Sequence, residues 1–180
     1  LVSECEPNIK KAVEETLARV FSTKSIIRSG TAALLSVLRE RSRSHTDYLV
    51  INMTGGASSM FVVHKGAPLE HALISEGTQT ILKRVAGNKL PEETLSLIRM
   101  LARDHCEDAA CDEIQAGMAK TEQELIRIFG EAMARLATSR RLPNTLVLAI
   151  EPDMAHWFTS FFSRIDFTQF TLTTQPFSVN

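Results

Sequence analysis

Between Tyr48 and Val63 an apolar run, Tyr48-Leu49-Val50-Ile51, breaks at Asn52-Met53-Thr54-Gly55-Gly56-Ala57-Ser58-Ser59 and resumes at Met60-Phe61-Val62-Val63. Two β-type runs this close together leave room for little except an antiparallel hairpin. Glycine, serine and threonine crowd the turn, and such a turn can present backbone N–H groups to phosphate. The same residues also suit a hairpin turn that binds nothing, with glycine supplying positive φ.

The segments around the hairpin alternate in character. Pro7 to Phe21 places Ile9, Val13, Leu17 and Val20 at helical spacing, and Thr31 to Arg41 does so with Leu34, Leu35 and Leu38; a short β-like run, Lys24 to Arg28, lies between. Asp47 to Asn52 and Ser59 to His64 are the hairpin strands. After the turn at Lys65-Gly66-Ala67-Pro68, Leu69 to Ser75 alternates as a third strand and completes a meander. Gly77-Thr78 opens a helix to about Ala86 through Ile81, Leu82 and Val85.

From Pro91 the periodicity is helical. Leu95, Ile98, Met100 and Leu101 mark one helix, Asp104 to Ala119 a second, and Thr121 to Ser139 a third with a Leu125, Ile128, Phe129, Ala132, Met133, Leu136 stripe of core type. Thr145 to Ile150 is continuously apolar, as expected of a strand buried on both faces. Asp153 to Arg164 reads as a helix carrying Met154, Trp157, Phe158, Phe161 and Phe162. Phe167 to Thr173 reads as a last strand, and Thr174 to Asn180 as a tail.

Charge and cysteine content exclude some functions. Lysine and arginine number 20 against 21 acidic residues, so no broad field favours nucleic acid or an anionic membrane. No apolar run has the roughly 18–20 residues of a membrane span, and Leu1 to Cys5 has no signal-peptide zones, so a cytoplasmic location is expected. From a start at Leu1 rather than Met, a fragment or processed chain is expected. Three cysteines suit a reducing compartment better than a disulfide framework. His105, Cys106 and Cys111 cluster without the second ligand pair of structural zinc, so no metal site is expected. No catalytic constellation emerges: Ser58 and Ser59 have no evident base, Cys106 sits in an acidic stretch that disfavours its thiolate, and Glu151 with Asp153 suits a helix start. His64 and His71 flank a hairpin as ordinary solvated or core histidines.

A strand pair joined by a Gly-rich turn, a third strand, a Gly-led helix, a helical segment, a buried strand and a closing helix resemble the second lobe of the actin-like ATPase superfamily, nearest to its type IV pilus-assembly (PilM) and cell-division (FtsA) branches. The second phosphate loop of that family, Asp-x-Gly-x-x-Thr-x-Asp, is matched here by Asn52, Thr54, Ala57 and Ser59. Its Gly-Gly pair is matched by Gly77-Thr78, whereas its adenosine-contacting Gly-rich turn is replaced by Ile150-Glu151-Pro152-Asp153. An amide at Asn52 is a poor stand-in for a Mg²⁺-holding carboxylate. Thr54 and Asp153 put side chains where backbone would approach a nucleotide, and Pro152 removes an N–H donor.

The resemblance implies an α/β fold: a ribonuclease H-like, actin-type lobe with a mixed sheet containing a three-strand antiparallel meander and flanking helices. Residues 1–90 and 140–180 would form that lobe, and 91–139 an inserted helical subdomain. Asn52, Thr54, Gly55, Gly56, Ser58, Gly77 and Thr78 would form a degenerate phosphate loop. No cofactor is expected, ATP and Mg²⁺ returning only if a further lobe completes the site. The implied function is a noncatalytic scaffold binding a protein partner in a pilus, secretion or division assembly peripheral to the inner membrane, with self-association as a further implication. The alternative is one lobe of a working actin-like ATPase or sugar-kinase-fold enzyme.

Overall fold

In the computed structural model, the described residues are 7–21, 30–41, 47–106, 108–138, 141–165 and 173–177. The chain divides into two units, Leu1–Ser44 and His45–Asn180. The first holds α1 (Pro7–Val20) and α2 (Gly30–Arg41). In α1 the stripe residues Ile9, Val13 and Val20 are exposed, and in α2 Leu35 and Leu38 are buried. The run predicted at Lys24–Arg28 lies outside the described residues.

The second unit is built on a five-stranded sheet of order β3-β2-β1-β4-β5. Its elements are β1 (Tyr48–Met53), β2 (Ser58–His64), β3 (Ala67–Ile74), α3 (Thr78–Ala86), α4 (Pro91–Leu101), α5 (Ala109–Ala137), β4 (Thr145–Ala149), α6 (Pro152–Arg164) and β5 (Thr173–Phe177). Strands β1, β2 and β3 form the antiparallel meander, whereas β4 runs parallel to β1 and β5 parallel to β4. Lys65 (φ 49°) and Gly66 (φ 73°) turn β2 into β3 in the two-residue, positive-φ geometry that matches strand twist. That tight turn lets β3 begin at Ala67, two residues before the predicted start.

Register decides the core. Leu49 faces Val62 and Leu146, and Ile51 faces Met60 and Leu148, so all six project to one side of the sheet. They join Ile81 and Val85 of α3, Leu97 and Ile98 of α4, Ile114, Leu125, Phe129 and Met133 of α5, and the α6 aromatics in one buried cluster. Phe129 meets Phe162 edge-on at 5.2 Å, a geometry that contributes about 0.5–1.5 kcal/mol beyond its buried area. The predicted Met and Phe stripe is therefore core.

Two boundaries differ from expectation. The two helices predicted over Asp104–Ala119 and Thr121–Ser139 are one 29-residue helix, α5. Asp108 caps it by accepting the Cys111 N–H at 2.9 Å, and no proline interrupts it thereafter. The closing strand is Thr173–Phe177, within the predicted tail. It is an edge strand, where Pro176 is tolerated; most of the predicted Phe167–Thr173 strand lies outside the described residues.

Candidate functional site

Every residue proposed for the phosphate loop lies where β1, β2 and α3 meet. Thr54 N–H donates to the carbonyl of Ala57 (2.9 Å), and Thr54 Oγ1 donates to the same oxygen (2.8 Å), closing the β1–β2 turn on itself. Neither Gly55 nor Gly56 adopts positive φ. The left-handed geometry that glycine was expected to supply is absent because the four-residue connection turns without it. Asn52 is half-buried in β1 with Ser59 and Ala149 as its register partners. Ser58, buried, donates to the carbonyl of Glu76 (2.5 Å).

Helix α3 starts directly against this turn. The N–H of Thr78 donates to the carbonyl of Thr54, and that of Gln79 to the carbonyl of Gly55, both at 2.9 Å. Gly77, extended at φ −130°, has no room for a side chain: a Cβ there would lie 2.4–2.5 Å from Thr54 O, Ala57 N and Gly55 O. Thr80 Oγ1 accepts the Gly77 N–H (2.8 Å). The amides that a helix start usually offers an anion are thus spent on the carbonyls of the hairpin turn. Glu76 adds a carboxylate beside them, paired with Arg84, which also reaches Glu124.

The remaining candidates separate. Asp153, in the first turn of α6, is held by Arg99 of α4 through two N–H···O bonds of 2.8 and 2.5 Å, and this pairing lowers its carboxyl below the ordinary 3.8. Glu151 is exposed and makes no side-chain cap. His64 Nδ1 lies 2.9 Å from Asp47 Oδ2, and His71 is exposed on β3. Cys106 and Cys111, expected as separate thiols, are joined by a disulfide because the turn after α4 brings residue 106 back onto the first turn of α5.

A second feature carried almost no sequence signal. A groove of roughly 600 Å³ runs between the end of α4, α5 and α6, with Ile98, Cys106, Met118, His156, Trp157 and Arg164 among its walls. Trp157 Nε1–H and Arg164 Nη2 both donate to Glu122 Oε1 at 2.7 Å. The i, i+7 spacing of Trp157 and Arg164 on α6 is the only hint of this arrangement in the sequence.

No protein-family model matches the chain, and no curated protein matches it by sequence. Solved structures do. PilM in the PilM–PilN type IV pilus biogenesis complex superimposes with a TM-score of 0.50 at 13% identity, over 97% of this chain and 64% of that one. The fold is that of the actin-like ATPases. The ethanolamine utilization protein EutJ of Carboxydothermus hydrogenoformans gives 0.48 at 17% identity, over 78% of this chain and 47% of its own. ParM of Bacillus thuringiensis with ATP gives 0.48 at 11%, over 72% and 42%. The chain thus spans 42–64% of the length of these three proteins. Among the described residues, no helix is long and apolar enough to cross a membrane.

Proposed function

We propose that this actin-like chain is a noncatalytic docking module, binding a protein partner in a membrane-peripheral assembly of the pilus, secretion or division type. One observation carries the reading: the first amides of α3 are bonded to Thr54 O and Gly55 O. A phosphate at this helix start would have to displace two backbone hydrogen bonds, each with its own net worth of about 0.5–1.5 kcal/mol. Asn52 offers a cation an amide dipole in place of a carboxylate, and Glu76 adds negative charge nearby. The solved PilM structure is a complex with PilN, which makes a protein ligand the natural one to test first.

Thermal unfolding of the full protein with ATP and Mg²⁺ tests the noncatalytic part, since a ligand of the folded state raises the melting temperature with concentration. No shift is expected. A saturable rise would sink the reading in favour of a nucleotide-binding lobe. Photo-crosslinking in the cell, with the probe on exposed positions of α5 and α6, tests the partner: one recurrent adduct from the membrane fraction is expected, and adducts with the chain alone would replace the scaffold by a self-assembling protein.

A further inference from the structure

Cys106 and Cys111 are bonded through their sulfurs, with Cα atoms 5.9 Å apart and a sequence separation of 5. The two ends of that bond sit in different environments. Cys111 is in the first turn of α5 and 1% exposed, whereas Cys106 is half-buried and forms part of the groove wall. We propose that the pair is a reversible thiol-exchange site, at which a neutral or cationic small-molecule thiol reaches Cys106 through the groove, and that its oxidation state sets the shape of that wall.

As a staple the cross-link contributes less than one closing a long loop would. Loop-closure entropy grows with loop length, and this loop is short. Hydrogen bonds already hold the segment: Ala102 N to Ile98 O (3.0 Å), Arg103 N to Met100 O (3.1 Å), His105 N to Met100 O (3.0 Å), and the Asp108 cap on Cys111. A bond across a segment that hydrogen bonds also hold, with one sulfur accessible and the other enclosed, has the form of an exchanging pair. Where thiols are kept reduced, such disulfides are transient and redox-sensing.

The chemistry follows from the asymmetry. An incoming thiol loses its proton and its sulfur attacks Cys106 Sγ; the bond to Cys111 breaks and the electron pair leaves on Cys111 Sγ, which takes up the proton. The N-terminal end of the 29-residue helix favours negative charge on that leaving sulfur, against the opposing Asp108 carboxylate, and prompt uptake of the proton completes the step. A second thiol attacks the mixed disulfide, releasing the small-molecule disulfide and the Cys106 thiol. Two small thiols are oxidised as one protein disulfide is reduced, and a small-molecule disulfide reverses the sequence. Asp104 on the groove wall and the Asp108 carboxylate, within 4.8 Å of the sulfurs, disfavour anionic thiols.

Reduction frees the Cys106 side chain, at the end of this hydrogen-bonded segment, to reorient on the groove wall that it shares with Trp157. Trp157 is the sole tryptophan and reports on it. The test uses the full chain with Cys5→Ser, so that only this pair remains. Treated with cystamine, the Cys111→Ser variant should form a mixed disulfide on Cys106 on the order of tenfold faster than the Cys106→Ser variant forms one on Cys111; Cys111→Ala serves if the buried hydroxyl unfolds the chain. The oxidised and reduced pair should differ in Trp157 emission, and Cys106→Ser should abolish the difference. Equal labelling rates, a reduced pair that cystamine leaves unoxidised, or one zinc retained per reduced chain would each overturn the exchange site. Identical emission would overturn its link to the groove, and equal rates with cysteamine and mercaptoethanesulfonate the preference for non-anionic thiols.

Discussion

Gly77 packs against the β1–β2 turn so closely that a Cβ on it would stand 2.4 Å from the carbonyl oxygen of Thr54. Space, rather than an unusual dihedral, requires glycine here, because φ −130° suits any residue. Gly77→Ala must push the turn away from α3 and break the bonds from Thr78 and Gln79. A loss of about 2–3 kcal/mol is expected in chemical denaturation, in the range of overpacked sites. Gly56→Ala, with nothing within 4 Å, is the control and should stay within about 0.5 kcal/mol of the parent.

The same logic separates two glycines of α5. A Cβ on Gly117 would lie 2.8 Å from the carbonyl oxygen of Val85, so this glycine lets α5 approach the backbone of α3, whereas Gly130 has open space. Helix propensity alone favours alanine at both by about 1 kcal/mol. Gly130→Ala should collect most of that gain in denaturant midpoint, and Gly117→Ala should reverse its sign. Stabilisation by both would mean that the α3–α5 approach is looser than the distance indicates.

The meander was legible because its strands are short, apolar and separated by turn residues, and the parallel neighbour β4 because Thr145–Ala149 is apolar throughout. What stayed hidden depends on distant partners. The unity of α5 hangs on a polar stretch around Lys120 that shows no periodic break or continuation, and Thr173–Phe177 has too few apolar residues to announce a strand. At the site, sequence placed Thr54 and Gly77 in one motif but could not show that Thr78 and Gln79 spend their amides on the turn, 24 residues upstream. The Cys106–Cys111 spacing was visible; that a turn returns one sulfur to the other was not.

Glu122 Oε1 accepts the Trp157 Nε1–H from 2.7 Å away, and Trp157 is 4% exposed. Removing the carboxylate while keeping side-chain length leaves a buried donor without its partner. Glu122→Met should cost about 1–3 kcal/mol and change the Trp157 emission, while Glu122→Gln, which retains an accepting oxygen, should recover most of the loss. Equal losses for the two variants would assign the effect to the Arg164 ion pair instead.

Arg99 and Asp153 join α4 to the start of α6, and the pairing should be visible in the acid limb of stability. The Arg99 hydrogen bonds, opposed by partial burial, hold the Asp153 carboxyl below its ordinary 3.8. A depressed folded-state value means that the unfolded chain binds the proton more readily, so the contribution is fully present above about pH 4–5 and is lost as pH falls through the folded value. Asp153→Asn should therefore be less stable than the parent at neutral pH by a small margin, since both side chains are well exposed, at 47% and 38%, and salt screens the pair. The two denaturation curves should converge at the acid end of the titration, once pH has fallen below the depressed folded value and the parent carboxylate has taken up its proton. A difference that persists unchanged to that end would show that the helix α6 start, rather than the ion pair with Arg99, depends on Asp153.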